Sequence, residues 1–428
     1  MSNISEPDCD SKTSTTHRQQ TLAGAVLILT MLTAYNGVIP VLATRICKYF
    51  SLSTEQYGTL IGMSSLLQIP ALLSAGFLIA RFGVRRTAEC SIIGIGTCFV
   101  AIGLGANLTS LRCSIPAHGF FAALSKVAVP ALLITLYPML KRRMLSVQLV
   151  VYSTMGIAIP LWANQLLQWS AEGDDLVFSQ VFFRPFLAVG CIIVVGGVLL
   201  SLRSQPFLQI QHPKQETFHV RALFRWLLEV DHWRSDRGAS RSIVIILLMA
   251  LHVVADSTIY QYLPMFMDHQ FGETRLGAWA LSGHAIAYVT TRSLLSLLPE
   301  GVGQRKILIL AGPIGGLLIM AMLWQGHANF VPLIYTLASL AFAAEFPVLV
   351  SEISSRSMKH FGTILAIGHL VSSLAIFVLL KGTGRLVDAT GDYRIPLSIA
   401  ACGFIAFGVI VATTDLGKAI RPQKTMQS

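Results

Sequence analysis

The sequence predicts an all-α membrane protein with twelve transmembrane helices in two pseudo-symmetric six-helix bundles. Three observations lead to this fold class: the composition, the spacing of long uncharged segments, and a repeat that relates the two halves. Of the 428 residues, 54% are hydrophobic and only 12% are charged. A soluble domain carries about 25% charged residues, so this composition cannot cover a water-exposed surface and excludes a soluble enzyme.

The uncharged segments set the number of spans. One crossing takes about 20 apolar residues, because the hydrocarbon core is about 30 Å thick and a helix rises about 1.5 Å per residue. Seven segments carry no charge and predict one span each: 22–44, 56–80, 90–111, 144–171, 185–202, 361–380 and 395–414. The first is too long for a signal-peptide core and is expected to remain as a span.

Five further spans complete the count of twelve. The uncharged stretch 307–344 is divided by a polar turn at 325–329, so span 9 ends there and span 10 begins at Phe330. Three other spans, 113–138, 242–267 and 276–299, contain one charged residue each.

Basic residues predict the orientation. With twelve spans, 22 Lys and Arg lie on the side of the termini and eight on the opposite side, which places both termini in the cytoplasm of a plasma (cell inner) membrane. The predicted organisation is a tail (1–20), a first bundle (21–202), a linker (203–241), a second bundle (242–414) and a tail (415–428). The linker is either an amphipathic helix lying on the inner leaflet or an ordinary solvated helix.

Two loops repeat at an offset of 220 residues, which indicates that the halves are diverged copies. The loop after span 2 contributes Gly76, Arg81, Gly83, Arg85 and Arg86, and the loop after span 8 contributes Glu300, Gly303, Arg305 and Lys306. A tight turn favours glycine for its backbone freedom, and basic residues anchor such a loop on the cytoplasmic side.

The chain resembles the major facilitator superfamily of secondary transporters. The family's loop signature, G-x-x-x-D-R-x-G-R-R, is matched after span 2 except that Ala80 replaces the Asp, and the segment 384–391 is similar to its outer-loop pattern. The resemblance implies two bundles that alternate access to a central site lined by helices 1, 4, 7 and 10, with the two loops acting in gating. The stretch 312–316 resembles another family motif as a string, but we interpret its glycines as close helix packing.

Three charged residues lie near the centres of spans. Lys126, Asp256 and Glu345 fall in spans 4, 7 and 10, which are cavity-lining helices in the family. Placing an ionised group there costs at least about 2.5 kcal/mol, so such residues usually face a wet cavity or a partner. The repeat offset places Lys126 one residue from Glu345 and pairs Asn36 with Asp256. We interpret the charged residues as one polar constellation.

Two interpretations of this constellation remain open. In the functional one, Lys126 binds the negative part of a substrate, and Glu345 or Asp256 takes a coupling proton, since burial favours the neutral carboxyl. In the other, Lys126 and Glu345 form an ion pair across the halves that holds one conformation shut. His118 and His252 lie on the same helical faces as Lys126 and Asp256 and are candidate proton relays.

Further polar residues lie at membrane depth. Tyr35, Asn36, Asn164 and Tyr260 are expected either to contact substrate or to join helices by hydrogen bonds. Arg292 lies near the end of span 8, where it is expected to snorkel to lipid headgroups, and is therefore left outside the site. Two histidine ligands are too few for a metal centre, so no metal is expected.

The predicted function is multi-pass secondary transport of a small anionic or zwitterionic organic solute, coupled to protons as in a symporter. Proton-driven multidrug efflux is the first alternative, and a membrane sensor or scaffold that kept the fold without turnover is the second. The sequence has no phosphate-binding Gly loop with Lys and no nucleophile elbow, which argues against an ATP-driven pump and an enzyme. The expected partners are the solute, protons and the bilayer; we expect no cofactor, no nucleic acid and a functional monomer.

Overall fold

The computed structural model describes residues 9–137, 140–169, 175–202, 237–297, 304–356 and 361–414. Within these ranges the chain forms helices joined by short turns, and no strand occurs among them. The first half contains six helical segments that cross the bundle. They are α1 (α1a Cys9–Thr33, a 3-10 turn Ala34–Gly37, α1b Val38–Val41, then α1c Ala43–Tyr49), α2 Thr54–Phe82, α3 Val84–Gly105, α4 Leu108–Leu136, α5 Lys141–Trp169 and α6 Asp175–Leu202.

The second half repeats this arrangement. Its segments are α7 Arg237–Phe271, α8 Thr274–Leu297, α9 Gln304–Trp324, α10 (a 3-10 turn Ala328–Phe330, α10a Val331–Phe342 and α10b Glu345–Arg356), α11 Phe361–Thr390 and α12 Arg394–Thr413. We call the side where α1 begins and α12 ends the termini side, and the other the opposite side.

The predicted fold class is confirmed. Among the described helices, ten are long and apolar enough to cross a membrane, and α5 and α8 occupy the two remaining predicted positions. The predicted turn between spans 9 and 10 is also present, with Gln325 Nε2 donating to the carbonyl oxygen of His327 at 2.7 Å. The predicted linker falls almost entirely in 203–236, outside the described residues.

The halves meet along two seams with a cavity between them. One seam is formed by α2 and α11, the other by α5 and α8, and α1b and α1c also contact α7. Gly58 lets α2 approach α11, because a Cβ there would meet the Tyr262 hydroxyl and the Leu380 carbonyl oxygen. Small residues at such crossings bring backbones together, as is usual in membrane bundles.

The internal repeat is visible in a pair of arginine contacts. Arg85, at the start of α3, donates to the carbonyl oxygen of Leu200 in the last turn of α6 at 3.3 Å. Arg305, at the start of α9, donates to the carbonyl oxygens of Thr414 and Ala412 at the end of α12, at 2.8 and 3.1 Å. Since the last carbonyls of a helix lack intrahelical partners and carry partial negative charge, each arginine caps the final helix of its own half.

Two helices differ from the predicted continuous spans. The first span was predicted as 22–44, but α1 changes to a 3-10 turn at Ala34–Gly37. Span 10 is interrupted at 343–344, and regular backbone hydrogen bonding resumes with the Val348 N–H donating to the Ala344 carbonyl oxygen at 3.2 Å. The interruption makes Glu345 the first residue of α10b.

Candidate functional site

A cavity of about 590 Å³ lies between the halves. Residues of α1, α2, α3, α4 and α5 line it from the first half, and residues of α7, α8 and α11 line it from the second. Most of its polar lining is uncharged: Thr30, Thr33, Asn36, Ser64, Ser65, Gln68, Ser125, Gln148, Ser257 and Gln261. The lining is therefore rich in hydroxyl and amide groups that can hydrogen-bond a polar solute.

Lys126 lines this cavity from α4. Its side chain is exposed to the cavity and has no hydrogen bond or ion pair among the described residues. His118, two turns earlier on the same face, also lines the cavity, and its ring stacks on Phe99 at 5.4 Å between centroids. The Nδ1 atom of His118 is buried without a hydrogen-bond partner.

Arg292 lines the same cavity from α8, so the expectation that it reaches lipid headgroups is wrong. Its guanidinium carbon lies 4.8 Å from the ring centroid of Tyr288, a cation–π contact, and its Nε is buried without a hydrogen-bond partner. The sequence contains a signal for this position: His284, Tyr288 and Arg292 recur every fourth residue and therefore share one polar face of α8.

The cavity carries positive charge without compensation from its own lining. Among the described residues that line it, Lys126 and Arg292 are charged, and none is Asp or Glu. Two cations in a confined polar space attract anions more strongly than they would in bulk water, because the surrounding protein screens them less.

Glu345 lies instead in the interior of the second half. It is fully buried, and its Oε2 lies 2.7 Å from Nδ1 of His252 on α7. The rings of Phe342, Phe404 and Phe407 surround His252 at 5.7 to 6.4 Å between centroids. Since the other carboxylate oxygen has no hydrogen-bond partner, the contact with His252 is the main compensation for burying this carboxyl group.

Asp256 belongs to a second polar cluster of the same half. Tyr288 Oη donates to Asp256 Oδ2 at 2.8 Å, and His284 Nε2 lies 3.8 Å from Oδ1. His284 in turn contacts Ser339 Oγ through Nδ1 at 3.0 Å and stacks on Tyr335. Through Tyr288, the cluster touches Arg292 and hence the cavity wall.

The structure therefore places the three charged residues that were predicted to form one polar site in separate surroundings. Lys126 lies in the cavity, whereas Asp256 and Glu345 are not among its lining residues. The Lys126–Glu345 ion pair across the halves is not formed, since Glu345 pairs with His252. His252 was predicted to act with Asp256, but its Nδ1 contacts Glu345 of α10 instead.

The other predicted polar residues lie in different places. Asn36 lines the cavity. Tyr35 lines a separate apolar crevice of about 590 Å³ that is formed with Trp162 and Arg184. Asn164 is buried outside the cavity lining, and the ring of Tyr260 packs on His284 at 5.4 Å.

The predicted gating loops are described only in part. Glu300 and Gly303 lie outside the described residues. Gly83 has a φ of 85°, which favours glycine, and Arg81 and Arg86 are exposed beside it. Gly76 lies nearly two turns before the end of α2. Arg85 also pairs with Glu89 at 2.7 Å, and the contacts given above for Arg85 and Arg305 stay within one half each.

The halves are fastened together at the opposite side. Asp388, near the end of α11, accepts hydrogen bonds from the backbone N–H groups of Thr54 and Glu55 at 2.9 and 2.8 Å. Tyr262 of α7 donates to the Leu380 carbonyl oxygen at 2.7 Å and so holds α11 from the other direction. We call Asp388 and its two backbone donors the α2–α11 latch. It joins the two halves at the end of α11 that lies on the opposite side.

Comparison with known proteins identifies the family. The family model described as Major Facilitator Superfamily matches residues 22–380. The structure of the transporter FucP in the outward conformation has a TM-score of 0.62 and 17% identity, covering 91% of this chain and 97% of that one. A second FucP structure, of the Escherichia coli fucose:proton symporter, has a TM-score of 0.58 and 16% identity, covering 92% and 98%.

A bacterial homologue of the human lysosomal transporter Spinster, inward-facing and occupied, is similar to the same extent. Its TM-score is 0.64 at 17% identity, with 92% of this chain and 95% of that chain covered. Identities this low show a shared fold alone. No curated protein sequence matches the chain significantly. With the family model covering most of its length, the chain belongs to the Major Facilitator Superfamily and is a multi-pass membrane transporter.

Proposed function

We propose that the protein is a proton-coupled secondary transporter that moves a small organic anion by alternating access. One observation carries this proposal: the cavity between the halves contains Lys126 without a protein partner and no described carboxylate to neutralise it. Keeping a cation at membrane depth is costly, and binding an anionic solute recovers part of that cost.

The same observation argues against the efflux alternative. A cavity that extrudes lipophilic cations needs acidic residues, whereas the described lining here offers only positive and neutral groups. The sensor alternative is separated from transport by flux, because a sensor binds the anion without moving it.

Proton coupling is supported by two acids of the second half, the buried Glu345 and the half-buried Asp256. Glu345 shares a short contact with His252, so a proton can reside on either group. Asp256 accepts from Tyr288, whose ring lies under the Arg292 guanidinium. An anion that draws Arg292 into the cavity changes the surroundings of Tyr288 and therefore of Asp256, which links solute binding to the protonation of that cluster.

Alternating access follows from the two seams. In this proposal the latch at Asp388 closes the opposite side of the cavity. Opening the cavity to that side requires α2 to separate from α11 there, while the halves approach each other on the termini side. The distribution of basic residues supports cytoplasmic termini in a plasma membrane, and one chain encloses the whole cavity, as a functional monomer requires.

The test is flux in vesicles that contain the purified full chain. We expect an inward pH gradient to drive uptake of organic anions, and Lys126→Gln to abolish it. Arg112→Gln is the matched control, because Arg112 is an exposed cation near the start of the same helix. Equal uptake by the Lys126→Gln variant and the unmodified protein would contradict the proposed role of Lys126.

A further inference from the structure

We propose that the substrate is a dianion whose negative groups bind Lys126 of the first half and Arg292 of the second half at the same time. This inference rests on the proposed function and adds a second substrate-binding residue and a substrate class to it. The class comprises small dicarboxylates and phosphate monoesters, which share two negative charges.

Arg292 is placed and available for this role. It lines the cavity, its Nε has no hydrogen-bond partner, and it forms no ion pair with any described acid. Its one close aromatic contact, with the Tyr288 ring, leaves the donor groups of the guanidinium free in the plane around it. A guanidinium presents a planar fork of donors that matches a carboxylate or a phosphate.

The two cations occupy corresponding positions along their helices. Both α4 and α8 run from the opposite side to the termini side, and each cation follows the first residue of its helix by 18 positions, from Leu108 and from Thr274. At about 1.5 Å per residue, both lie about 27 Å along their helices. Because both residues also line the same cavity, one small solute inside it can contact both.

Charge balance then selects the dianion. A monoanion at Lys126 leaves Arg292 unneutralised in a cavity whose described lining has no acid. The cost of that unpaired charge rises when the cavity closes and loses water, because the local dielectric constant falls. A dianion neutralises both cations and joins the halves on the side where they must approach during transport.

The alternative is that Arg292 only holds Tyr288 beside Asp256 and never contacts the substrate. Both roles need the positive charge, but only direct binding makes affinity depend on the second negative group of the solute. A comparison of matched dianions and monoanions therefore separates them.

The experiment measures thermal stabilisation of the purified full chain by a panel of dicarboxylates with two to six carbons and of phosphate monoesters. Each is compared with its own monoamide or methyl ester, which carries one charge fewer. We expect stabilisation by at least one dianion at concentrations about tenfold or more below its monoanionic partner, as a charge-assisted hydrogen bond implies. Which series stabilises the protein distinguishes dicarboxylates from phosphate esters.

Variants at Arg292 complete the test. Arg292→Gln should remove the preference for the dianion while keeping binding of the monoanion through Lys126, and Arg292→Lys should retain part of the preference. Arg275→Gln, an exposed cation at the start of the same helix, should behave as the unmodified protein does. Melting temperatures without ligand show whether each variant is folded.

Two results overturn different claims. Equal or better stabilisation by monoanions, or an unchanged preference in Arg292→Gln, would show that the dianion inference is wrong while leaving the role of Lys126 intact. Stabilisation by none of the anions, with Lys126→Gln indistinguishable from the unmodified chain, would contradict the proposed function itself.

Discussion

Helices α4 and α10 occupy equivalent places in the two halves but expose their charged residues to different surroundings. Under the repeat offset, Lys126 aligns one residue from Glu345. The α4 helix runs without interruption through Lys126, which faces the cavity, whereas α10 is interrupted just before Glu345, which faces His252 in the interior. Equal depth in a repeat therefore does not imply a shared chamber.

The difference follows from how each charge is solvated. Lys126 has access to the space of the cavity, so it needs no protein partner. Glu345 is cut off from solvent, and among the described residues its carboxylate has one polar contact, with His252. The comparison predicts that removing the partner of Glu345 in the second half lowers the stability of the protein strongly. Replacing Lys126 in the first half is expected to lower it little.

The largest effect is expected on separating Glu345 from its partner. His252→Leu should lower the free energy of unfolding by about 3–5 kcal/mol, because it leaves a buried acid without compensation. Lys126→Met is the matched change in the first half and should alter stability little. The melting temperatures of both variants, and of the double variant His252→Leu/Glu345→Leu, test this. A large loss in Lys126→Met would break the comparison.

The second expected effect concerns pH. Glu345→Gln keeps the shape of the side chain but cannot carry a coupling proton, so the rate of anion uptake should no longer depend on pH. This dependence is measured as the rate of anion uptake into vesicles over a range of internal and external pH. A pH profile that is unchanged from the unmodified protein would assign the coupling proton elsewhere, with Asp256 as the next candidate.

A smaller effect is expected at the helix that leaves room for Glu345. A Cβ on Gly312 of α9 would meet Glu345 Oε1 and the Phe404 carbonyl oxygen, so Gly312→Ala should destabilise by about 1–3 kcal/mol. The control is Gly382→Ala on α11, where no heavy atom lies within 4 Å of the added methyl group. Thermal unfolding of the two variants gives the comparison, and equal melting temperatures would contradict the tight packing around Glu345.

The smallest effect is expected at the α2–α11 latch. Asp388→Asn removes a carboxylate that accepts two backbone bonds near the surface, and should shift the balance between the two conformations by about 1 kcal/mol. The rate at which a cysteine introduced at Gln261 reacts with an impermeant thiol reagent from the opposite side should rise several-fold, as about 1 kcal/mol implies. The control is Asp392→Asn, beyond α11. Unchanged labelling in Asp388→Asn would show that other contacts hold this side closed.

The sequence predicted the fold well because its evidence is local. Span positions depend on runs of apolar residues, and the repeated loops place Arg85 and Arg305 in corresponding contacts. The glycines at 312–316 were interpreted as residues of close helix packing. The structure agrees, because a Cβ at Gly312, Gly315 or Gly316 would meet α10 or α12.

The partners of the buried charges were not predictable in the same way. The contact between Glu345 and His252 joins residues 93 positions apart, and no local pattern predicts it. The interruption of α10 at 343–344 does have a local signal, because Pro347 lacks the N–H that would bond the carbonyl four residues earlier. The position of Arg292 near the end of its helix predicted a side chain that reaches the lipid headgroups. The helical face that it shares with Tyr288 places it in the cavity instead. Which face of a helix meets the cavity is decided by packing between distant segments.

The donors to Asp388 have a consequence for how this protein can vary. Because the bonds come from main-chain N–H groups at the start of α2, substitutions of the side chains at positions 54 and 55 leave both donors in place. Only proline lacks the donor, and the first turn of a helix otherwise accepts it readily. The two main-chain donors are therefore indifferent to the identity of the side chains at positions 54 and 55, whereas the acceptor depends entirely on the side chain at position 388.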